Sequence, residues 1–290
     1  MNLARLIQYK SQQNMDRQGF IEFVKHPSLE NSGKASSYAQ AINILDNVLL
    51  HQKVIDLKGK SLYEIPDIAI IEKVLEFVKE EVKKMKARQP NIFDYGKPTQ
   101  KSYPLGGFCS AALSSLIDYI LFDGAQHLVT CQTDPLKISK ELIKHFDITK
   151  EGEDVVSQTK RRRGQDYFRY MILTNYGSRC ALTGIDVPDL LLASHIIPWS
   201  DKKYKNQRLN PCNGICLSAL YDKAFDKGYI TFSPDDYSVI LSSALLENES
   251  KDYYDQHFGC IVGRKLTMPS EFKPDRDFLD YHSKEVFLGL

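Results

Sequence analysis

A histidine in the C-terminal half of the chain has a sequence context that is unusual for a core residue. The apolar residues 190–192 lead closely to His195, and Pro198 and Trp199 follow it. A histidine at the end of a predicted strand is either a core residue with a satisfied hydrogen bond or a general base that takes a proton from water. The residues around it must decide between these two interpretations.

An asparagine and two aspartates follow this histidine in a pattern that suits metal-assisted hydrolysis. Asn213 begins a predicted second strand, and Asp222 and Asp226 lie four residues apart on one face of a predicted helix. His195 would deprotonate a water while the carboxylates hold a divalent cation over a phosphate. Asn213 would brace the loop or accept the imidazole N–H and fix its tautomer. Taken singly, each aspartate also fits a surface or capping role.

Local basic runs predict contact with nucleic acid. The formal net charge of +1 gives no global electrostatic argument for it, but KRRR at 160–163 and KKYKNQR at 202–208 concentrate positive charge. Gln165 and Arg169 lie four residues apart on a predicted helix, where they would reach a phosphate or brace the core. The predicted DNA-binding residues are Arg161, Arg162, Arg163, Gln165, Arg169, Lys202, Lys203 and Lys205.

The elements that must position these residues change in character along the chain. Residues 1–150 are predicted to form a helical domain, because their segments space apolar side chains three and four apart. A charged, polar stretch at 147–164 is the predicted linker. A helix over 165–177, two short strands, a second helix and a hairpin then predict a mixed domain over 151–290. The sequence therefore predicts an α+β protein of two domains.

The cysteines and the hydropathy bear on the compartment and the metal. The six cysteines show no CxxC spacing, so neither a secreted disulfide framework nor a zinc knuckle is expected. A metal site of Cys180, Cys212 and Cys216 is the weaker alternative, because its fourth ligand would have to come from elsewhere. With no signal peptide and no apolar run of about 18 residues, we expect a cytoplasmic protein without a membrane segment.

Five short motifs occur in an order that is similar to one enzyme family. They are RRGQDYFR, CALTG, SHIIPW, NGICL and FDKG. Through them, residues 161–290 resemble the HNH endonucleases of the restriction type. The resemblance implies a ββα-metal fold in which His195 is the general base, Asn213 is structural and the third motif position holds the metal. That position falls on Asp222, with Asp226 in the FDKG motif.

Two departures from the family's pattern bear on the metal site. Some relatives have a histidine where Tyr221 stands. Ser194 stands directly before the base, where many members carry an acidic residue or a histidine. Aspartate is a hard oxygen ligand, so we expect Mg²⁺ or Mn²⁺ as the cofactor and no structural zinc.

The helical half resembles, through SSYAQA, SLYEI and SAALSSLIDYI, helical segments that precede HNH domains in restriction enzymes. Residues 1–150 are therefore predicted to be a DNA-binding or specificity module. The chain as a whole is predicted to be a metal-dependent endonuclease of double-stranded DNA in restriction or phage defence, with a homodimer as one arrangement. A mobile-element (homing-type) nuclease and a DNA-binding protein with a decayed nuclease domain are the alternatives.

Overall fold

The chain folds into two compact units, one helical and one mixed. The computed structural model describes residues 15–26, 34–52, 55, 57–94, 101–148, 155–248 and 251–289. Of these, the residues up to Gln126 form one unit and those from His127 onward form the second. The two antiparallel, two-stranded sheets lie in the second unit. The predicted α+β class is confirmed in this sense.

The first unit is built from helices around an aromatic core. Its helices are α1 (Arg17–Val24), α2 (Ala35–Gln52), α3 (Ile68–Lys86), α4 (Ser102–Leu105) and most of α5 (Phe108–Cys131). Phe20 of α1 is fully buried, and its ring lies 5.5 Å from that of Tyr63 and 6.0 Å from that of Tyr119. Asp67 caps α3 by accepting a hydrogen bond from the amide of Ala69. Burial of these rings is a main source of stability for a unit of this kind.

Helix α5 corrects one expectation about hydropathy. Over Phe108–Cys131 it is long and apolar enough to cross a membrane by length and composition alone. The core helix of a folded domain meets the same criteria, and 61% of its most apolar stretch is buried inside the structure. The expectation of no apolar stretch near membrane-spanning length was therefore wrong, because α5 contains too few polar residues to lower its mean hydropathy.

The second unit places a β-hairpin between two helices. Its elements are α6 (Pro135–His145), α7 (Val155–Asn175), β1 (Leu191–His195), β2 (Gly214–Ser218), α8 (Ala219–Asp226), β3 (Ile230–Phe232), β4 (Val239–Leu241), α9 (Ala244–Asn248), α10 (Lys251–His257) and α11 (Arg276–Glu285). Strands β1 and β2 pair antiparallel, and both α7 and α8 pack on them. Since neighbouring side chains of a strand point to opposite faces, Ser194 meets α8 and His195 meets α7.

Two boundaries differ from those expected. Helix α7 begins at Val155, so the basic run at 160–163 lies within a helix and not in a linker. Lysine, arginine and glutamine are good helix formers, and their polarity does not mark a break in the chain. Helix α6 precedes the predicted boundary at residue 150, yet it packs on the turns Lys205–Gln207 and Pro211–Asn213 of the second unit. This packing places α6 in the second compact unit.

The segment 275–288 of the second unit packs against the glycine that follows α8. The amide of Leu288 donates a hydrogen bond to the carbonyl oxygen of Gly228 at 3.0 Å. Gly228 has a φ of +74°, and a Cβ at this position would lie 2.1 Å from the carbonyl oxygen of Val286. The glycine that follows α8 is therefore required both by its backbone conformation and by this close approach.

We expect Gly228→Ala to lower the free energy of unfolding by about 3 kcal/mol or more, because a backbone clash adds to left-handed strain of about 1–2 kcal/mol. Gly184→Ala is the matched control, since Gly184 has a φ of +77° and a Cβ there would meet nothing within 4 Å. Urea unfolding of both variants measures the difference. Equal losses for the two variants would contradict the close packing of the segment 275–288 on Gly228.

Candidate active site

His195 ends β1 with its ring enclosed by neighbouring aromatic side chains. The ring of Phe168, on α7, stacks on the imidazole with centroids 3.9 Å apart and 14° between the planes. Trp199 meets the imidazole edge-on at 5.5 Å. On the facing strand, Gly214 lies opposite His195, and a Cβ there would lie 2.5 Å from the side chain of Ile172 on α7. The glycine therefore lets α7 approach closely enough to stack Phe168 on the histidine.

One hydrogen bond fixes the tautomer of His195. Its Nε2 lies 3.0 Å from the carbonyl oxygen of Arg208. A carbonyl oxygen only accepts, so Nε2 carries the proton and Nδ1 of the neutral ring is unprotonated. Burial lowers the pKa of His195 to about 4; the hydrogen bond to the Arg208 carbonyl opposes this shift, and the charge of Arg208 adds to it. The half-buried imidazole is therefore neutral at neutral pH and can accept a proton at Nδ1.

Asn213 braces the loop between the two strands. Its Oδ1 accepts a hydrogen bond from the amide of Ile197 at 2.8 Å. Its Nδ2 donates to the carbonyl oxygens of Ile197 and Gln207 at 3.3 and 3.1 Å. The side chain is almost completely buried, so these bonds replace those it would make with water. Of the two roles considered for Asn213, the structure places it in the bracing role, and the acceptor of the imidazole N–H is the Arg208 carbonyl.

On the opposite face of the hairpin, Asp222 of α8 meets Ser194 of β1. The Ser194 hydroxyl donates to Asp222 Oδ1 at 2.6 Å. Burial raises the pKa of Asp222; the Ser194 hydrogen bond opposes this shift, and the charge of Asp226 adds to it. In the described part of the chain, no lysine or arginine forms an ion pair with Asp222. The charges of Lys223 and Arg169 lower this pKa without forming an ion pair with the carboxylate, so a bound cation would stabilise its ionised form further.

Asp226 lies one turn further along α8 and is exposed. Its carboxylate lies 3.8 Å from the ammonium groups of Lys223 and Lys227. Among the residues that the structure describes, no group of three or more His, Cys, Asp or Glu side chains is arranged to hold a metal ion. The protein therefore offers Asp222, with Ser194 beside it, and a second carboxylate one turn away. This donor set fits Mg²⁺, which keeps several waters and is commonly held by one or two carboxylates.

Tyr221 stands where some relatives of the resembled family have histidine. Its side chain is buried, and its hydroxyl donates to the carbonyl oxygen of His257 at 2.6 Å. Burial raises the pKa of Tyr221 to about 12, so the phenol is neutral at neutral pH. Its ring meets that of Phe258 edge-on at 6.1 Å. Tyr221 therefore ties α8 to the end of α10.

The residues predicted to bind DNA separate into an internal and a surface group. Arg169 is used internally, because its guanidinium donates to the carbonyl oxygens of Pro188 and Leu191 and so holds the start of β1. Of its two predicted roles, this is the brace of the core. The others lie on α7 and on the loop between β1 and β2: Arg162, Gln165, Lys202, Lys203 and Lys205 are exposed, and Arg161 and Arg163 are half-buried.

Sequence reasoning missed three features of this site. The acceptor for His195 is the backbone carbonyl of Arg208, which no residue type signals. Phe168 lies in the RRGQDYFR motif, but only the packing of α7 shows that it stacks on His195. His282 stacks on Phe225 of α8 with centroids 3.8 Å apart. The HSKEVF stretch, which follows the other motifs in the sequence, is the signal that could have pointed to His282.

Comparison with known proteins assigns this region. The family model of the HNH endonucleases matches residues 180–233, which contain β1, β2, α8 and β3. The match includes His195, Asn213 and Asp222 and confirms the predicted family. A search of the curated proteins finds no significant match to the chain.

We expect His195 to be neutral and protonated at Nε2 at about pH 6, because burial lowers its pKa to about 4. Side-chain ¹⁵N NMR shows the tautomer and gives the pKa by titration. Phe168→Leu uncovers one face of the ring and should raise this pKa toward ~6.5.

The unfolded chain takes up this proton near pH ~6.5, so the free energy of unfolding should fall as the pH is lowered from there toward 4, by at most ~1.4 kcal/mol per pH unit.

A ring that is already charged at about pH 6 would contradict the lowered pKa of His195, and a neutral ring with its proton on Nδ1 would contradict the hydrogen bond to the Arg208 carbonyl.

Proposed function

Because residues 180–233 belong to the HNH endonuclease family, we propose that the chain is a metal-dependent endonuclease that hydrolyses phosphodiester bonds of double-stranded DNA. Restriction of foreign DNA, including phage defence, is the proposed role, and the cytoplasm is the proposed location. One observation carries the proposal: the hydrogen bond from His195 Nε2 to the Arg208 carbonyl leaves Nδ1 unprotonated in the matched region. An unprotonated nitrogen in a fixed direction is what a general base requires.

In the proposed reaction His195 takes a proton from the attacking water at Nδ1. The imidazolium that forms keeps its Nε2–H bond to the Arg208 carbonyl, and this bond becomes stronger when the ring is charged. Bound DNA places negative charge beside the ring and so raises the pKa of His195 from about 4 toward the working pH. Phe168 stacks on the ring and limits its rotation, which keeps Nδ1 in one direction.

We propose that Asp222 and Asp226 hold the divalent cation, Mg²⁺ or Mn²⁺. When bound, the cation polarises the phosphate and stabilises the leaving oxygen. Burial raises the pKa of Asp222, so a positive charge beside it would stabilise the ionised carboxylate. The Ser194 hydroxyl orients one oxygen of this carboxylate. Asp226 is exposed and faces two lysines, so its contribution is the smaller one.

DNA binding is assigned to two basic surfaces and to the helical unit. The loop after His195 carries Lys202, Lys203 and Lys205, and α7 carries Arg161, Arg162, Arg163 and Gln165. Phosphates neutralised at these two places would hold the DNA backbone near the general base. The first unit is proposed as the DNA-binding or specificity module. A homodimer would supply one hydrolytic site for each strand.

A DNA-binding protein with a decayed nuclease domain is the second candidate. Two observations favour it: Tyr221 is engaged with the His257 carbonyl where some relatives have histidine, and the described residues hold no cluster of three metal-ligating side chains. A weakly metal-binding nuclease and an inactive one differ in catalysis and not in DNA binding. Cleavage assays therefore separate them.

We expect the protein to cut plasmid DNA with Mg²⁺ or Mn²⁺ and to lose this activity in EDTA. His195→Ala should lower the cleavage rate by about 10²-fold or more, the usual scale for a lost general base, and should still bind DNA. His127→Ala is the matched control, because His127 is exposed on α5. Conversion of supercoiled plasmid measures the rate, and fluorescence anisotropy measures binding. A wild-type protein that binds DNA but does not cut it would support the second candidate.

We expect Asp222→Asn to raise the Mn²⁺ concentration needed for half-maximal cleavage by about tenfold or more, with partial recovery of the rate at high Mn²⁺. The amide keeps the size of the carboxylate and can still accept the Ser194 hydrogen bond, so the fold should be kept. Asp226→Asn should have a smaller effect, because Asp226 is exposed between two lysines. If Asp222→Asn cuts at the wild-type rate at low metal, the cation is held elsewhere.

A further inference from the structure

The segment 275–288 lies beyond the matched region, yet it contacts several elements of the proposed site. At its start, the amide of Asp275 donates to the carbonyl oxygen of Cys212 at 3.0 Å. At its end, the amide of Leu288 donates to the carbonyl oxygen of Gly228 at 3.0 Å. Helix α11, between these two points, packs on β3. The segment is thus fixed at both ends to the turns that flank β2 and α8.

Tyr281 of α11 holds the basic loop. Its hydroxyl donates to the carboxylate of Asp201, and its ring lies 5.0 Å from that of Tyr204. The carboxylate of Asp201 also accepts from the amide of Lys203 at 2.8 Å. The Tyr281 hydrogen bond lowers the pKa of Asp201, so the carboxylate is ionised and the bond is charge-assisted. The two lysines between Asp201 and Tyr204 are therefore held on both sides.

The next residue, His282, supports the end of α8. It is buried, and its ring lies parallel to that of Phe225, with 4° between the planes. Its Nε2 donates to the carbonyl oxygen of Phe225 at 3.1 Å, and its Nδ1 accepts from the hydroxyl of Thr231 at 2.9 Å. Phe225 lies between Asp222 and Asp226 on α8. The contacts of His282 therefore fix the turn that carries both carboxylates.

We propose that α11 is a positioning element that holds the basic loop and the carboxylate-bearing helix through two separate contacts. Consecutive side chains of a helix point about 100° apart, so Tyr281 and His282 reach two different elements from one turn. Tyr281 acts through Asp201 on the loop lysines, and His282 acts through Phe225 on α8. This inference rests on the proposed function and adds two positioning residues to it.

A positioning role and a purely structural role of α11 lead to different results. A helix that only buries core surface would, once weakened, loosen the loop and α8 together and lower affinity and turnover alike. Positioning predicts a separation of the two effects. Loss of the Tyr281 hydroxyl then affects the binding of DNA, and loss of the His282 imidazole affects turnover.

Tyr281→Phe tests the loop, because it removes the hydroxyl and keeps the ring. We expect faster amide exchange in residues 199–210, unchanged exchange in residues 219–228, and DNA affinity weaker by about fivefold. The slope of log affinity against log salt should become shallower by up to about 0.9 per lost phosphate contact, with kcat unchanged. The triple variant Lys202→Ala, Lys203→Ala, Lys205→Ala sets the scale of this slope change.

Two further variants assign this effect to the bond with Asp201. In an Asp201→Ala background, Tyr281→Phe should change DNA affinity by less than about twofold, because its partner is gone. Tyr254→Phe is the matched control, since its hydroxyl makes no hydrogen bond with the residues that the structure describes. This control should leave exchange, affinity and kcat at their wild-type values.

His282→Gln tests the helix. We expect faster exchange in residues 219–228, a kcat lower by about fivefold and unchanged DNA affinity. Thr231→Val keeps the imidazole and removes the hydroxyl that donates to its Nδ1. We therefore expect a smaller increase of amide exchange in residues 219–228. This milder variant supplies the test where His282→Gln does not fold.

The proposal is overturned if Tyr281→Phe and Tyr254→Phe give the same exchange in residues 199–210 and the same salt slope. It is also overturned if each α11 variant loosens both segments and lowers affinity and kcat together. A wild-type protein that fails to cut DNA contradicts the proposed nuclease instead. The exchange of the two segments and the DNA affinity would then still decide the role of Tyr281, because neither measurement depends on cleavage.

Discussion

The enclosure of His195 is the constraint on which the rest of the second unit depends. A half-buried imidazole needs an acceptor for its N–H, and here the acceptor is a carbonyl in the loop that follows, at Arg208. The loop can present this carbonyl because the buried amide of Asn213 holds it at Ile197 and Gln207. The same ring is covered by α7, which comes close because the facing residue of β2 is a glycine. Strand register, loop closure and helix packing therefore all converge on one side chain.

The two faces of the hairpin carry ionisable groups whose charged forms are both disfavoured by burial. The pKa of His195 is lowered and that of Asp222 is raised, in each case first by desolvation. A negative phosphate beside the imidazolium and a cation beside the carboxylate would each offset the desolvation penalty of the charged group. By linkage, substrate and metal would then bind more strongly to the ionised forms that burial disfavours. Because neighbouring residues of β1 point to opposite faces, Ser194 and His195 contact different helices, yet both lie at the same end of the strand.

The sequence was informative where chemistry and local pattern coincide. The family assignment is confirmed over residues 180–233, and His195, Asn213 and Asp222 lie on β1, in the turn directly before β2 and on α8. Contacts between distant segments could not be read in this way. Arg169 was an equal candidate for phosphate and core, and only the fold shows its guanidinium on the carbonyl oxygens of Pro188 and Leu191. The start of α7 was missed because polar helix formers resemble a linker, and the place of α6 was missed because its packing on the turns before β2 cannot be read from its own residues.

The matched region is too small to determine its own geometry. A hairpin and one helix of about 50 residues bury little apolar surface, and such units need additional packing to be stable. Here α7 supplies the ring that stacks on His195, and α11 supplies the imidazole that stacks on Phe225. The motif residues therefore define which chemistry is available, whereas elements outside the match define where the reacting groups lie. A change in α7 or α11 can for this reason alter the site without touching any motif residue within 180–233.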